Sequence, residues 1–229
     1  MRLLTGHGAG SIARMSVKDA FAPIVDLIYP PRCPLCGEAI ASQKGLCAAC
    51  WATLEIPDVA GEDGVTAATL YNDTARQLVL NFKHGRKIAL AGMMARQIAT
   101  RLPELGGPWL VVPVPLHRIR LWQRGYNQSA LIARELCKLR DVDLLVDGLV
   151  RRKRTPSLGG LGRQERAKVL TGAIAANPAR IERLGGAQVL LVDDVLTSGA
   201  TSNACIAALR AAGVRRVHVA CFSRVIEGR

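Results

Sequence analysis

Apolar residues along this chain follow two rhythms. Short, largely apolar runs alternate with stretches in which apolar positions recur every three or four residues. The runs Val65 to Tyr71, Trp109 to Val112, Val189 to Val192 and Val217 to Cys221 predict strands, because a strand covered on both faces needs no polar side. The helical spacing predicts helices over Ala75 to Phe82, Lys87 to Leu102, Asn127 to Leu139 and Cys205 to Ala212. Asn72-Asp73-Thr74 marks a turn and cap before the first of these, Gly85 marks its end, and Pro103 lies just beyond the second. Asp143 to Val150 reads as extended, and Leu161 to Leu170 as a charged helix or ordered loop. Strands alternating with helices predict an α/β fold with a parallel sheet flanked by helices. Ligands of such sheets bind at the carboxyl ends of the strands. Upstream, Phe21 to Tyr29 is apolar at helical spacing and predicts a short helix. The predicted organisation is a loosely structured segment 1–20, a small cysteine-rich unit 21–60 and a main domain 61–229.

Composition narrows the class. A chain of 229 residues supports one substantial core plus an appendage. A hydrophobic content of 49% excludes a disordered chain. No apolar run approaches the roughly 20 residues of a membrane span, and the N-terminus shows no secretory pattern. The formal net charge of +13 favours phosphorylated or polyanionic ligands. Lysine and arginine concentrate at 118–124, 151–154 and 163–168. The aromatic content of 4% is poor for base-stacking platforms.

The seven cysteines divide into a cluster and three scattered residues. Cys33-Pro34-Leu35-Cys36 and Cys47-Ala48-Ala49-Cys50 are two knuckles, each able to give two thiolates to one metal. Four thiolates in two knuckles predict a closed, structural zinc site; two disulfides or an iron–sulfur cluster are the other readings. Cys137, Cys205 and Cys221 lie on apolar stretches and read as small buried hydrophobes. An odd count with a metal-type cluster predicts the reducing cytoplasm.

Three further constellations carry chemistry. In Val189 to Thr201, Asp193 and Asp194 stand at the carboxyl end of a strand. The small residues Thr197, Ser198, Gly199, Ala200 and Thr201 then lead into a helix. Such a loop lets backbone N–H groups and hydroxyls surround a phosphate, with the helix dipole behind them. The carboxylates would accept hydrogen bonds from sugar hydroxyls or hold a divalent cation, so the run describes a phosphorylated ribose. An ordinary acidic turn and a helix capped by Thr197 or Ser198 would also produce it. In Val111 to Ser129, Pro113, Val114, Pro115 and Leu116 lead into a basic loop with His117, Arg118, Arg120 and Arg124. Gly125 there permits an unusual backbone angle, and Asn127 or Ser129 caps the next helix. This predicts a pyrophosphate-binding loop, or else a basic surface loop. In Leu149 to Ile174, Arg151 to Arg154 precede a stretch with Gly159, Gly160 and Gly162. A mobile cationic lid, with Arg154, Thr155 and Arg163 at the ligand, stands beside a solvated linker as its reading.

The run Val189 to Thr201 resembles the phosphoribosyl-pyrophosphate (PRPP) loop of type I phosphoribosyltransferases. Taken in order, PPRCPLCG…CAAC, FKHGR, VPVPLHRIRLWQRGYNQS, KRTPSLGGLGRQER and VLLVDDVLTSGAT resemble the competence protein F (ComF, also ComFC or GntX-like) family over residues 20–226. That resemblance implies a zinc ribbon joined to a type I phosphoribosyltransferase-like domain. It implies that Thr197 to Thr201 hold a 5-phosphate, that Asp193 and Asp194 meet the ribose hydroxyls directly or through magnesium, and that Pro113 to Leu116 with Arg124 face pyrophosphate. The chemistry implied is displacement of pyrophosphate at the anomeric carbon, by positioning and charge stabilisation. A non-enzymatic role in handling imported single-stranded DNA is the alternative, with a competence-machinery protein as a partner for the ribbon. Leu158 and Val169 depart from the family, which has glutamine and asparagine there.

Overall fold

The computed structural model describes residues 30–41, 45–58, 64–85, 87–104, 106–153 and 172–226. The segment 1–20, the helix expected at Phe21 to Tyr29, the stretch Leu161 to Leu170, and Arg154, Thr155, Leu158, Arg163 and Val169 lie outside the described residues.

Five strands form one parallel sheet. They are β1 (Val65–Leu70), β2 (Trp109–Pro113), β3 (Asp143–Leu144), β6 (Gln188–Leu196) and β7 (Arg216–Arg224), in the order β1-β7-β6-β2-β3. The central strand shows why the apolar run was informative: Val189, Leu190, Leu191 and Val192 are all buried. Their side chains alternate between two cores, as the two-residue strand period requires. Leu190 and Val192 pack with helices α2 (Asp73–His84), α3 (Leu90–Arg101) and α5 (Gln128–Arg140) through Leu78, Phe82, Met94, Ile98, Ile132 and Leu136. Val189 and Leu191 pack with Cys205 and Leu209 of helix α7 (Ala200–Ala211). Both faces are therefore covered, which is the condition a parallel sheet needs. Among the described residues no helix is long and apolar enough to cross a membrane.

Local signals place the helix ends. Asn72 caps α2 by accepting the Ala75 N–H at 3.0 Å, and Gly85 ends it. Asn127, rather than Ser129, caps α5, accepting the Ser129 N–H at 3.0 Å.

Three expectations need correction. The segment after His117 is not a loop but helix α4 (Arg118–Arg124), which His117 caps by accepting the Ile119 N–H and which Gly125 closes at φ +80°. The extended stretch at Asp143 to Val150 is broken by a turn, in which the Gly148 N–H reaches the Leu145 carbonyl and Arg180 Nε holds the Asp147 carboxylate at 3.0 Å. Beyond it, β4 (Leu149–Arg151) leaves the main sheet and pairs antiparallel with β5 (Ile174–Ala176). Strand β6, expected over Val189 to Val192, is also longer, running from Gln188 to Leu196. Helix α1 (Ala48–Ala52) in the second cysteine knuckle and the short helix α6 (Ile181–Leu184) complete the described elements with a single 3-10 turn at Pro178–Arg180.

Candidate functional site

Strand β6 was expected to stop at Val192 but runs on to Leu196, because β7 keeps pairing with it as far as Leu196 opposite Arg224. Asp193 and Asp194 are thus fixed within the sheet's last rungs rather than carried on a loop. The chain then turns through Thr197 and Ser198 to Gly199, whose φ of +73° suits a residue without a side chain. Gly199 is the N-cap of α7 and makes no side-chain cap bond, so neither Thr197 nor Ser198 occupies the capping position. A glycine N-cap brings no side chain of its own to the first-turn N–H groups of Ala200, Thr201 and Ser202, which lie at the positive end of the helix dipole. Thr197 is exposed, and Ser198 to Thr201 are half-buried.

The two carboxylates have different surroundings. Asp193 Oδ1 accepts the Ser129 hydroxyl at 3.0 Å and the Asp194 N–H at 2.9 Å. Burial and the neighbouring Asp194 charge push its carboxyl up to about 7, against the opposing pull of Lys83, the Asp194 N–H and Ser129. A carboxyl titrating there can lose its proton to solvent when a cation binds, and as the carboxylate it can accept a hydrogen bond from a sugar hydroxyl. Asp194 Oδ2 pairs with Lys83 Nζ at 2.9 Å. Lys83 sits in the last turn of α2, in the FKHGR segment, and was not among the predicted site residues. Its only sequence signal was membership of that segment.

The second predicted loop is carried by the adjacent strand. Pro113 of β2 stands opposite Val192, and the Val114 N–H donates to the Val192 carbonyl at 2.9 Å. Asn127 Nδ2 donates to the Val114 carbonyl at 3.0 Å, pinning the turn Pro113 to Leu116 to the start of α5. Arg124 Nη1 donates to Gln128 Oε1 at 3.1 Å, so this guanidinium is engaged in holding the α4–α5 junction. The structure thus brings Asp193, Asp194, Ser129 and Lys83 together and sets the turn at Val114 beside them. Burial and the like charge of Arg120 lower the pKa of Arg151, which the Asp193 charge opposes; a cation from β4 and one from α4 therefore share this electrostatic neighbourhood.

A cavity of about 630 Å³ opens on the other flank of the loop, lined by Thr197, Ser198, Gly199, Ser202, Asn203 and Ile206 with Val65, Ala67 and Val219 of the sheet. The buried Ser202 hydroxyl borders it without a hydrogen-bond partner. On α4, Trp122 is 86% exposed among Arg118, Arg120 and Arg124. This indole qualifies the expectation of poor stacking surface drawn from composition.

The cysteine knuckles close on each other as predicted. The sulfurs of Cys33, Cys36, Cys47 and Cys50 all lie within 4.8 Å of one another, and Cys36 Sγ is 3.5 Å from Cys47 Sγ. Four sulfurs on zinc bonds of about 2.3 Å require separations of this order. Burial opposes ionisation of Cys33, but the N–H groups of Cys36, Cys47 and Leu35 outweigh it and bring the thiol down to about 6. Burial and the neighbouring thiols push Cys50 up, the response of crowded sulfurs that a cation would relieve. The donor set fits a structural zinc. Cys205 and Cys221 are fully buried, and Cys137 is partly so.

Comparison with known proteins agrees with this picture. Residues 24–60 match the double zinc ribbon domain family, and residues 124–229 match the phosphoribosyl transferase domain family. The first stretch holds only four cysteines and no histidine, the ligands for one zinc. The chain is 29% identical to competence protein F of Haemophilus influenzae over 195 residues, covering 82% of each chain. It is 28% identical to the DNA utilization protein YhgH of Escherichia coli K12, covering 85% of this chain and 84% of that one. A hypoxanthine phosphoribosyltransferase structure from Staphylococcus aureus aligns at 15% identity over 62% of this chain and 74% of that chain, with a TM-score of 0.35, too loose a superposition to bear on fold or ligand. The expected fold class, with its parallel sheet and N-terminal cysteine cluster, and the family resemblance are both borne out.

Proposed function

For a chain homologous to competence protein F along most of its length, we propose a ribose-phosphate site, with PRPP as the ligand, serving DNA uptake or utilisation in the cytoplasm. The observation that supports this best is the sequence of groups at the end of β6. Two carboxylates lead directly into a turn whose Gly199 cap brings no side chain of its own to the N-terminus of α7. On this reading Thr197 to Thr201 take the 5-phosphate, as helix N-termini and small-residue loops do. Asp193 and Asp194 take the ribose diol, directly or through magnesium, which two adjacent carboxylates suit. The turn Pro113 to Leu116, with Arg124 behind it, faces pyrophosphate. If turnover occurs, the protein is a PRPP-dependent phosphoribosyl transferase acting by positioning and charge stabilisation. The test is calorimetric titration of zinc-loaded protein with PRPP and magnesium, beside the Asp193→Ala/Asp194→Ala double variant. Micromolar binding lost in the variant supports the reading; no binding by the wild type overturns it.

One observation favours a second reading, in which the fold handles single-stranded DNA without turnover. Trp122 stands almost fully exposed on a helix that also carries Arg118, Arg120 and Arg124. An exposed indole on a cationic helix is a stacking platform for unpaired bases. On this reading Trp122→Ala weakens binding to oligo-dT while leaving its salt dependence unchanged, since stacking releases no counterions. Undiminished binding by that variant would rule Trp122 out.

A further inference from the structure

We infer that Lys83 is a positioning residue of the ribose-phosphate site, and that the four-cysteine ribbon holds it there. The inference rests on the ligand reading proposed above and assigns the ribbon a role at that site. A lysine has a long, freely rotating stem, so where its ammonium sits depends on how firmly its backbone is held. The backbone around Lys83 is held from two sides.

The first side is the ribbon. The carbonyl of Pro34, inside the Cys33–Cys36 knuckle, accepts Asn81 Nδ2 at 3.1 Å and Lys87 Nζ at 2.8 Å. These donors lie two residues before Lys83 and four after it. The Gly85 N–H closes back onto the Asn81 carbonyl at 2.9 Å, so the end of α2 is clasped onto one carbonyl of the knuckle. Cys33, Leu46 and Cys47 are buried in the same core as Phe82, the residue next to Lys83. The second side is the α4–α5 junction, where the Tyr126 hydroxyl donates to the Phe82 carbonyl. Between these anchors Lys83 reaches Asp194 at 2.9 Å, with the two side chains 24% and 10% exposed.

The pairing has a purpose at a polyphosphate site. Asp193 and Asp194 repel an incoming anion, and a fixed ammonium against Asp194 offsets that charge without occupying the loop. A structural metal orders the knuckle that presents the Pro34 carbonyl, because metal binding and folding of so small a unit are coupled. The ribbon therefore transmits its metal state to the site through α2.

The experiment uses the full zinc-loaded chain and two readouts. The first is amine acylation followed by mass spectrometry, comparing Lys83 with Lys138, whose side chain is 62% exposed. The second is the PRPP–magnesium titration. Lys83 is expected to react slowly in the wild type. It should react several-fold faster in Asp194→Asn, after zinc is chelated, and in Asn81→Ala/Lys87→Met, which cuts the clasp while leaving every cysteine and Lys83 in place. PRPP affinity is expected to fall about tenfold or more in Lys83→Met, which keeps the stem but removes the charge, and to recover in Lys83→Arg. Unchanged Lys83 reactivity on cutting the clasp, with zinc content retained, overturns the inference whatever PRPP does. Equal PRPP affinity in Lys83→Met and the wild type overturns the role at the site. A wild type that binds no PRPP, while Lys83 responds to the clasp as expected, overturns the ligand reading and leaves the brace.

Discussion

The carboxyl of Asp193 should make the stability of this protein fall as pH rises through neutrality. An aspartate in the unfolded chain titrates at about 3.9, whereas burial and Asp194 push this one up to about 7 in the fold. The folded state therefore holds a proton that the unfolded state has already released. Its contribution to stability is fully present below about pH 4 and is lost as pH rises through about 7. At about 1.36 kcal/mol per pH unit separating the two titrations, the whole effect is roughly 4 kcal/mol. Between pH 5 and 8 it is roughly 2 to 3 kcal/mol, after allowing for partial protonation at both ends. Asp193→Asn keeps an oxygen to accept the Ser129 hydroxyl and the Asp194 N–H. It should abolish this part of the slope and leave the variant more stable than the wild type at pH 8. Urea unfolding at pH 5, 6, 7 and 8 on both zinc-loaded proteins measures the difference, in which titrating groups remote from Asp193 cancel and its neighbours Asp194 and Lys83 count with it. Parallel pH profiles for the two would refute the reasoning, since they would mean Asp193 titrates alike in the folded and unfolded chain.

Other outcomes follow from single contacts. Ser129→Ala removes a donor that favours the charged form of Asp193; it should cost about 1 kcal/mol in urea unfolding and move the midpoint of the pH profile upward. Gly199→Val forces a β-branched side chain to φ +73° and should cost about 1–2 kcal/mol, with PRPP binding lost in calorimetry if the loop is the phosphate site. One zinc per chain is expected by metal analysis, and Cys47→Ser should lower both the zinc content and the melting temperature. Leu209→Ala empties a fully buried site between α7 and the sheet and should cost about 2–5 kcal/mol in urea unfolding.

Much of this molecule was legible because its signals are local. The sheet's central run, the Asn72 cap, the Gly85 stop, the cysteine knuckles and the left-handed Gly125 each rest on residues a few positions apart, where side-chain type dictates backbone geometry directly. Where local signals pointed the wrong way, long-range pairing explains it. The apolar run ends the expected strand at Val192, yet the strand continues to Leu196 because β7 supplies partners up to Arg224, and a paired neighbour outweighs strand propensity. Arg118 to Arg124 reads as a basic loop because charge dominates it, yet His117 and Gly125 bound it as a helix.

The site divides along the same line. The chain alone specifies which groups exist: two carboxylates ahead of a small-residue loop, four thiolates at metal spacing, and a basic turn after an apolar strand. Their chemistry follows from residue type and spacing, which folding does not alter. Folding decides which groups meet. Ser129 reaches Asp193 across 64 residues of chain, Lys83 is brought to Asp194 by the packing of α2 on the sheet, and Pro34 is set against Asn81 and Lys87 by the shared core. Even the acidity of Asp193 belongs to this second kind, because burial and neighbouring charge exist only once distant segments have excluded water together.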